Sequence, residues 1–396
     1  MAEQNVNYIC PSCNAPLRYD AVKSLLVCDY CGSEYTTELV ESLMAQKIKD
    51  AQNGASGERV DSETEVGQTG GARQKPISGT KAATGDPIKD FLNSKRTLKE
   101  GEDGAMAVAC SSCGATLIVS DVTAVTCCPY CGNTAIVPSQ LGDTLEPDFI
   151  IPFSTTKEQA AEKLRQHYQG KICLPKVFAE QNHIEEIQGI YVPFWLYDGT
   201  CSGNAKWRCT NVRVFDDGED TVTETDTWLV IRAGECDFKR IPADASKRMP
   251  NAHMDSIEPF DYSKMVEFST SYLPGFAAER YDDGVSECAG RVTARAENTL
   301  MSGLEASVGY YSTKIPVGSS AEHFLSNVSY ALLPVWMLHT TWEGKDFLFA
   351  MNGQTTKLIG DLPVDKKKLA GLTALSFFVG FAATFLAVFG YLGGFQ

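Results

Sequence analysis

The sequence predicts a multidomain chain: two small β modules, each built on four cysteines, then an α+β domain and one C-terminal transmembrane helix. Three observations carry that reading. Eight of the 14 cysteines fall into four C-x-x-C pairs, arranged as two sets offset by 100 positions. No charged residue occurs from Leu369 to Gln396. The stretch between these features reads as a few helices among strands. At 396 residues, 43% hydrophobic and 21% charged, the chain is long enough for two or more folded units. Its net charge of −15 argues against a general nucleic-acid binder, which carries a basic face to neutralise phosphates.

The first set is Cys10, Cys13, Cys28 and Cys31, and the second is Cys110, Cys113, Cys128 and Cys131, with 14 residues between the pairs of each. The repeat extends past the ligands, since Ser12, Ala15, Leu17, Val22, Tyr30 and Gly32 recur as Ser112, Ala115, Leu117, Val122, Tyr130 and Gly132. Each half reads as a knuckle, a short hairpin and a second knuckle. That arrangement is a zinc ribbon, here over residues 1–37 and 106–140, whose four thiolates surround a structural ion at about 2.3 Å. So short a module buries too little to fold alone, so the metal supplies its folding energy. Four thiolates leave no open position for catalytic water. Iron in a rubredoxin-type or cluster site accepts the same four cysteines and remains the alternative. Disulfides need an oxidising compartment, and Met1 to Asn7 contains no secretory signal pattern. A redox C-x-x-C needs a thioredoxin-like setting. Cys127 aligns with Val27 and reads as a small strand residue.

Zinc ribbons often touch nucleic acid, but neither module is basic. Residues 8–35 carry Arg18 and Lys23 against Asp20, Asp29 and Glu34, and residues 108–135 carry only Asp121. Four thiolates around a divalent ion add further negative charge to each. The expected contacts are with proteins, with Leu17, Tyr30, Leu117 and Tyr130 as candidates unless these residues build the hairpin core.

Residues 38–105 read as a flexible linker with short helices. One helix would run from Glu38 to Gln52 with Leu39, Leu43 and Ile48 on one side, and another from Asp86 to Lys99 around Ile88, Phe91 and Leu92. Asn53 to Gly85 is a polar tether that would let the first module move independently of the second.

The α+β domain spans residues 148–363. Thr155 with Glu158 reads as a capping box opening a helix that buries Ala161, Leu164 and Tyr168 and stops at Gly170. A second helix starts near Asp283 and uses Val285, Cys288, Val292 and Leu300. Strands are expected over Gly189–Asp198, Gly203–Phe215, Asp220–Ala233, Asn327–Trp342 and Lys345–Asn352, paired as antiparallel hairpins. Val192-Pro193-Phe194-Trp195 resembles Leu333-Pro334-Val335-Trp336, with Ile151-Pro152-Phe153 similar; each proline should open or edge a strand and each tryptophan should be core. The five histidines are dispersed, and no phosphate loop or nucleophile elbow occurs. Cys201 and Cys209 would face one another if a hairpin turn lay between them. No catalytic constellation emerges, so the domain is read as non-enzymatic.

After Lys366-Lys367-Lys368, residues 369–392 are apolar on every face. A helix of that length reaches about 36 Å, enough for a hydrocarbon core of about 30 Å. The lysines place the preceding domains on the cytosolic side of the cell membrane, making this a single-pass tail anchor. Pairs spaced as Gly380 with Thr384 and Ala383 with Ala387 would allow the helix to self-associate.

The duplicated C-x-x-C modules, the strands Tyr191–Tyr197 and Leu333–Trp336, and the apolar C-terminal segment together resemble a bacterial family. Its members are tail-anchored zinc-ribbon membrane proteins, often labelled as transcription-factor-B-type or primosomal-helicase-like ribbons. The resemblance implies a scaffold working with SPFH-domain (virion-core-like) and phage-shock-protein-A-like partners in envelope stress. It implies the eight cysteines as ligands for two structural zinc ions and no enzymatic residues. The function expected is an adaptor recruiting proteins to the cytosolic membrane face; the alternatives are a nucleic-acid-binding ribbon protein at the membrane and an enzyme with an unrecognised site.

Overall fold

The computed structural model describes residues 8–13, 15–43, 46, 85–98, 105–120, 127–175, 178, 184–218 and 220–393. Of the tether expected over Asn53 to Gly85, residues 53–84 lie outside them, as do Ile48, Lys99, Val122 and Asp121. Two central strands organise the body: β8 (Gln188–Asp216) and β12 (Thr313–Trp342), antiparallel from Thr210 opposite Thr313 to Gln188 opposite Met337. Among the described residues they belong to an 11-stranded sheet with β10 (Val266–Glu267) at one edge. Strand β9 (Thr221–Asp244) pairs with β8, and β13 (Lys345–Asn352) pairs with β12 and with β14 (Leu358–Gly360).

Two strands expected separately, Gly189–Asp198 and Gly203–Phe215, are one. The intervening glycines do not break it. Gly203 lies opposite Gly234 of β9, and both face the helix α4 (Val285–Ala306). A Cβ on Gly234 would stand 3.1 Å from Leu304, so glycine here admits a helix rather than ending a strand. Strand β12 also begins earlier than expected, at Thr313, because Pro316, Gly318 and the polar residues after it mask the strand signal. The register slips between Pro316 and Gly318 as a bulge.

Pro193 and Pro334 sit inside these long strands, not at their ends, and the sheet topology explains how. On its outer side β8 pairs with β11 (Ala277–Glu279) up to Tyr191 and with β9 from Phe194 onward. Pro193 occupies the changeover, where no N–H is required, and its carbonyl accepts from Ala245 N–H. Pro334 does the same on β12, between β7 (Phe149–Ile150), which ends opposite Leu332, and β13, which starts opposite Val335; its carbonyl accepts from Gly353 N–H. Both tryptophans are core: the Trp195 indole donates to Asp283 O at 2.9 Å and that of Trp336 to Thr155 Oγ1 at 2.9 Å.

The second helix expected in the linker, α1 (Pro87–Ser94), is capped by Asp86 and stops sooner than expected, leaving Phe91 edge-on to Trp195. Helix α2 (Lys157–Tyr168) buries Ala161, Leu164 and Tyr168 as expected, but its capping box is Thr156 with Gln159, one residue later than the sequence suggested. Thr155 is committed elsewhere, to Gly353 O and the Trp336 indole. Helix α4 follows its expected contacts and adds Ala296 and Leu304. A short α3 (Asn251–Ile257), not anticipated, buries Met254 and Ile257. Helix α5 (Lys366–Gly393) closes the described chain; no part of its most apolar stretch is buried.

The cysteine modules are joined to this body differently. In the first, β1 (Arg18–Asp20), β2 (Leu25–Val27) and β3 (Glu34–Tyr35) form their own three-stranded sheet. That sheet does not stand free, as the expected independent motion required. Tyr19 N–H donates to Pro274 O, Tyr8 Oη lies 2.6 Å from Thr270 Oγ1, and the helical residues 37–43 bring Glu41 to Ser269 and Ser271. In the second, β4 (Met106–Cys110) lies between β5 (Thr116–Val119) and β6 (Ile136–Ser139), and β5 pairs with β11, so the module is part of the large sheet.

Candidate metal centres

Each cysteine set converges. Within each group of four the sulfurs lie within 4.8 Å of one another. In the first, Cys10 and Cys31 are 3.5 Å apart and Cys13 and Cys28 3.4 Å; in the second, Cys110–Cys131 and Cys113–Cys128 are each 3.6 Å. A tetrahedron with metal–sulfur bonds of about 2.3 Å has edges of about 3.8 Å. The donor set therefore fits a tetrahedral, thiophilic ion, and no cysteine in either group is disulfide-bonded.

Matching turns create both cradles. Cys10 N–H donates to Ala15 O, Cys28 N–H to Ser33 O and Gly32 N–H to Cys28 O; the second module repeats these as Cys110 to Ala115, Cys128 to Asn133 and Gly132 to Cys128. Gly32 and Gly132 adopt φ of 71° and 68°, where a side chain is strained. Backbone N–H groups also point at sulfur. Burial opposes ionisation of Cys10, yet the N–H groups of Ser12 and Cys13 and the Tyr35 hydroxyl bring its thiol down to about 6. At Cys110 burial is likewise outweighed by the N–H groups of Cys113 and Ser112, giving about 7.

The modules differ at the tyrosine that precedes the last cysteine. Tyr30 is 86% exposed, whereas Tyr130 is 9% exposed and its hydroxyl donates to Glu279 Oε2. Glu279 is fully buried on β11; it also accepts from Ser246 Oγ at 2.8 Å and lies 3.5 Å from Arg248 Nε. Burial pushes its carboxyl up to about 8, against the pull of Tyr130, Ser246 and Arg248. Arg248 also donates to Cys113 O at 3.0 Å and Gly114 O at 2.9 Å, so one guanidinium ties the first knuckle of the second module to the buried acid. Spacing alone could not reveal this link, because Ser246, Arg248 and Glu279 are far from the cysteines in sequence. Of the four expected partner contacts, Leu17, Leu117 and Tyr130 are buried and only Tyr30 is free to meet another protein.

The remaining thiols join neither group. Cys127 accepts from Gln188 Nε2. Cys201 and Cys209 lie on one strand, so no turn separates them, and Cys201 is paired across β9 with Cys236 instead. His323 lies 3.6 Å from Glu297 and His339 lies 3.4 Å from Asp346. A cleft of about 580 Å³ between the first module and the body is lined by Arg18, Asp20, Lys157, Glu158 and the rings of Phe276 and Trp336, with no cysteine or histidine among its described lining.

Fold and sites together define a protein with two four-cysteine metal-binding groups near the N-terminus, a large sheet-rich domain, and one C-terminal helix long and apolar enough to cross a membrane. The chain belongs to the family of the uncharacterized protein YdjG of Bacillus subtilis (strain 168). The two are 33% identical over 258 residues, which is 65% of this chain and 74% of that protein. No family model matches the sequence, and no solved structure matches it.

Proposed function

We propose that this protein is a membrane-anchored zinc-ribbon adaptor that recruits protein partners to the cytosolic membrane face. The observation that carries the reading is helix α5, on which Phe377, Phe378, Phe381 and Val388 are all exposed and none of the described apolar side chains is buried. A helix apolar on every side needs a lipid surround or an equally apolar protein one, and Lys366–Lys368 at its start suit the cytosolic headgroup level. Each cysteine group would hold a structural zinc ion, which supplies folding energy to the knuckles; the eight cysteines are its ligands.

Protein partners are favoured over nucleic acid by where the cations go. Arg18 pairs with Asp29, Lys23 with Glu34 and Lys95 with Asp148, which leaves no free basic patch on the described part of either module. Tyr30 and Val22 of the first module, and Leu39 just after it, are exposed apolar side chains instead. SPFH-domain and phage-shock-protein-A-like proteins are the partners that the family resemblance implies. The test is crosslinking in intact cells followed by purification from solubilised membranes. Protein adducts lost in Tyr30→Ala support the adaptor; recovered nucleic acid, or a chain found in the soluble fraction, refutes it. Protease added outside the cells should spare both modules, and their cleavage would reverse the orientation.

A further inference from the structure

Beyond α4 the strands β9, β8 and β12 continue as a three-stranded antiparallel arm, with Thr221 opposite Asp216 and Thr313 opposite Thr210 near its tip. A sheet edge presents unpaired N–H and C=O groups and is normally protected. The β12 edge of the arm is protected by Pro316 and the bulge that follows it. The β9 edge is not: from Thr221 to Asp237 it contains no proline and its register against β8 never slips. Among the described residues β9 pairs with β8 alone.

We infer that this edge is a self-association surface, on which β9 pairs antiparallel with β9 of a second copy across a two-fold axis. The charges along β9 specify that occupant. Glu224 and Asp226 share one cation, Arg213, at 3.9 and 2.9 Å. Arg232, further along the same face, forms no ion pair among the described residues and donates only to its neighbour's carbonyl, Ile231 O. An antiparallel two-fold centred on Trp228 sets Arg232 of each copy opposite Glu224 of the other; one centred on Leu229 sets it opposite Asp226. Either register therefore forms two cross-strand ion pairs, where like charges opposite one another would oppose the contact. The apolar residues agree. On the face away from α4, Leu229 is 62% and Ile231 51% exposed; the Leu229-centred register sets Leu229 of the two copies opposite one another, with each Ile231 diagonal to the partner's Leu229, and the Trp228-centred one sets the two Leu229 side chains diagonally. A single arm has nothing to cover them. The pairing extends the adaptor into a two-armed body and does not depend on metal binding.

The test uses the full-length chain, solubilised in detergent and carrying either of two affinity tags. Wild-type copies with different tags should co-purify. Arg232→Glu turns both attractive pairs into repulsive ones and should weaken association about tenfold or more. Mixing Arg232→Glu chains with chains carrying Glu224→Arg and Asp226→Arg should restore it, which a misfolded variant could not do. Wild-type copies that fail to co-purify, an Arg232→Glu chain that associates normally, or variants that are not restored by mixing would each overturn the inference. Association lost in Gly380→Leu but untouched by the charge reversals would assign the contact to α5 and overturn it equally.

Discussion

Replacing Tyr130 by Ala, beside the matched replacement of Tyr30, separates two fates of one repeated residue. Tyr130 is nearly buried and its hydroxyl serves Glu279, whereas Tyr30 stands in solvent. Truncating a large buried aromatic costs about 3–5 kcal/mol, and leaving a buried carboxyl without its donor costs about 1–3 kcal/mol. Truncating an exposed residue stays within about 0.5 kcal/mol. All five tryptophans lie on β8, β9 and β12, so their fluorescence reports unfolding of the body and not of either knuckle. With a denaturant slope of about 2–3 kcal/mol/M in urea, Tyr130→Ala should lower the tryptophan midpoint by at least about 1 M. Tyr30→Ala should leave it unchanged, and Tyr130→Phe should fall between. Equal midpoints for Tyr130→Ala and Tyr30→Ala would refute the claim that the second module is structurally part of the sheet.

Other outcomes follow from the same geometry. Glu279 is held protonated in the folded state up to about 8 but ionises near 4.5 when unfolded, so the folded protein binds the extra proton and stability falls as pH rises through that window. Between pH 6 and 8 the loss should be about 2–3 kcal/mol, measured by urea unfolding, and Glu279→Gln should flatten it. Elemental analysis should find two zinc ions per chain and one in either Cys28→Ser or Cys128→Ser; only Cys128→Ser should also lower the tryptophan transition. Gly32→Ala and Gly132→Ala both force a side chain into positive φ, at about 1–2 kcal/mol. The Gly132 variant should melt lower, because its Cβ would stand 3.1 Å from His339 Nδ1, where Gly32 has open space.

Legibility in the sequence followed the range of the interactions. The four C-x-x-C pairs and the glycines behind them are local signals, and the two cysteine groups could be drawn from spacing alone. Helix α4 was readable for the same reason, since Val285, Cys288, Val292 and Leu300 repeat at helical spacing. Glycine and proline misled wherever their role was tertiary. Gly203 looked like a strand break but sits where a Cβ would strike Ser320 O of β12 and crowd Leu300 of α4, and Pro193 and Pro334 looked like strand ends but sit where a neighbouring strand changes. The Thr155 capping box failed by one residue because Thr155 is held by Gly353 and Trp336, nearly 200 positions away.

By itself the sequence determined the parts: two matched sets of four thiols, an uncharged helix of bilayer length, and a strand-rich body between them. Each rests on residue types at short fixed spacing, which carry the same meaning whatever surrounds them. Only the tertiary structure decided how the parts are joined. Two modules alike in sequence became one docked sheet and one section of the main sheet, because β5 has β11 beside it, while among the described residues β1 pairs with no strand of the main sheet and meets the body through Tyr272 and Pro274. The difference lies in neighbours contributed by distant segments, above all Arg248 and Glu279, and no periodicity within the modules encodes which segment will arrive.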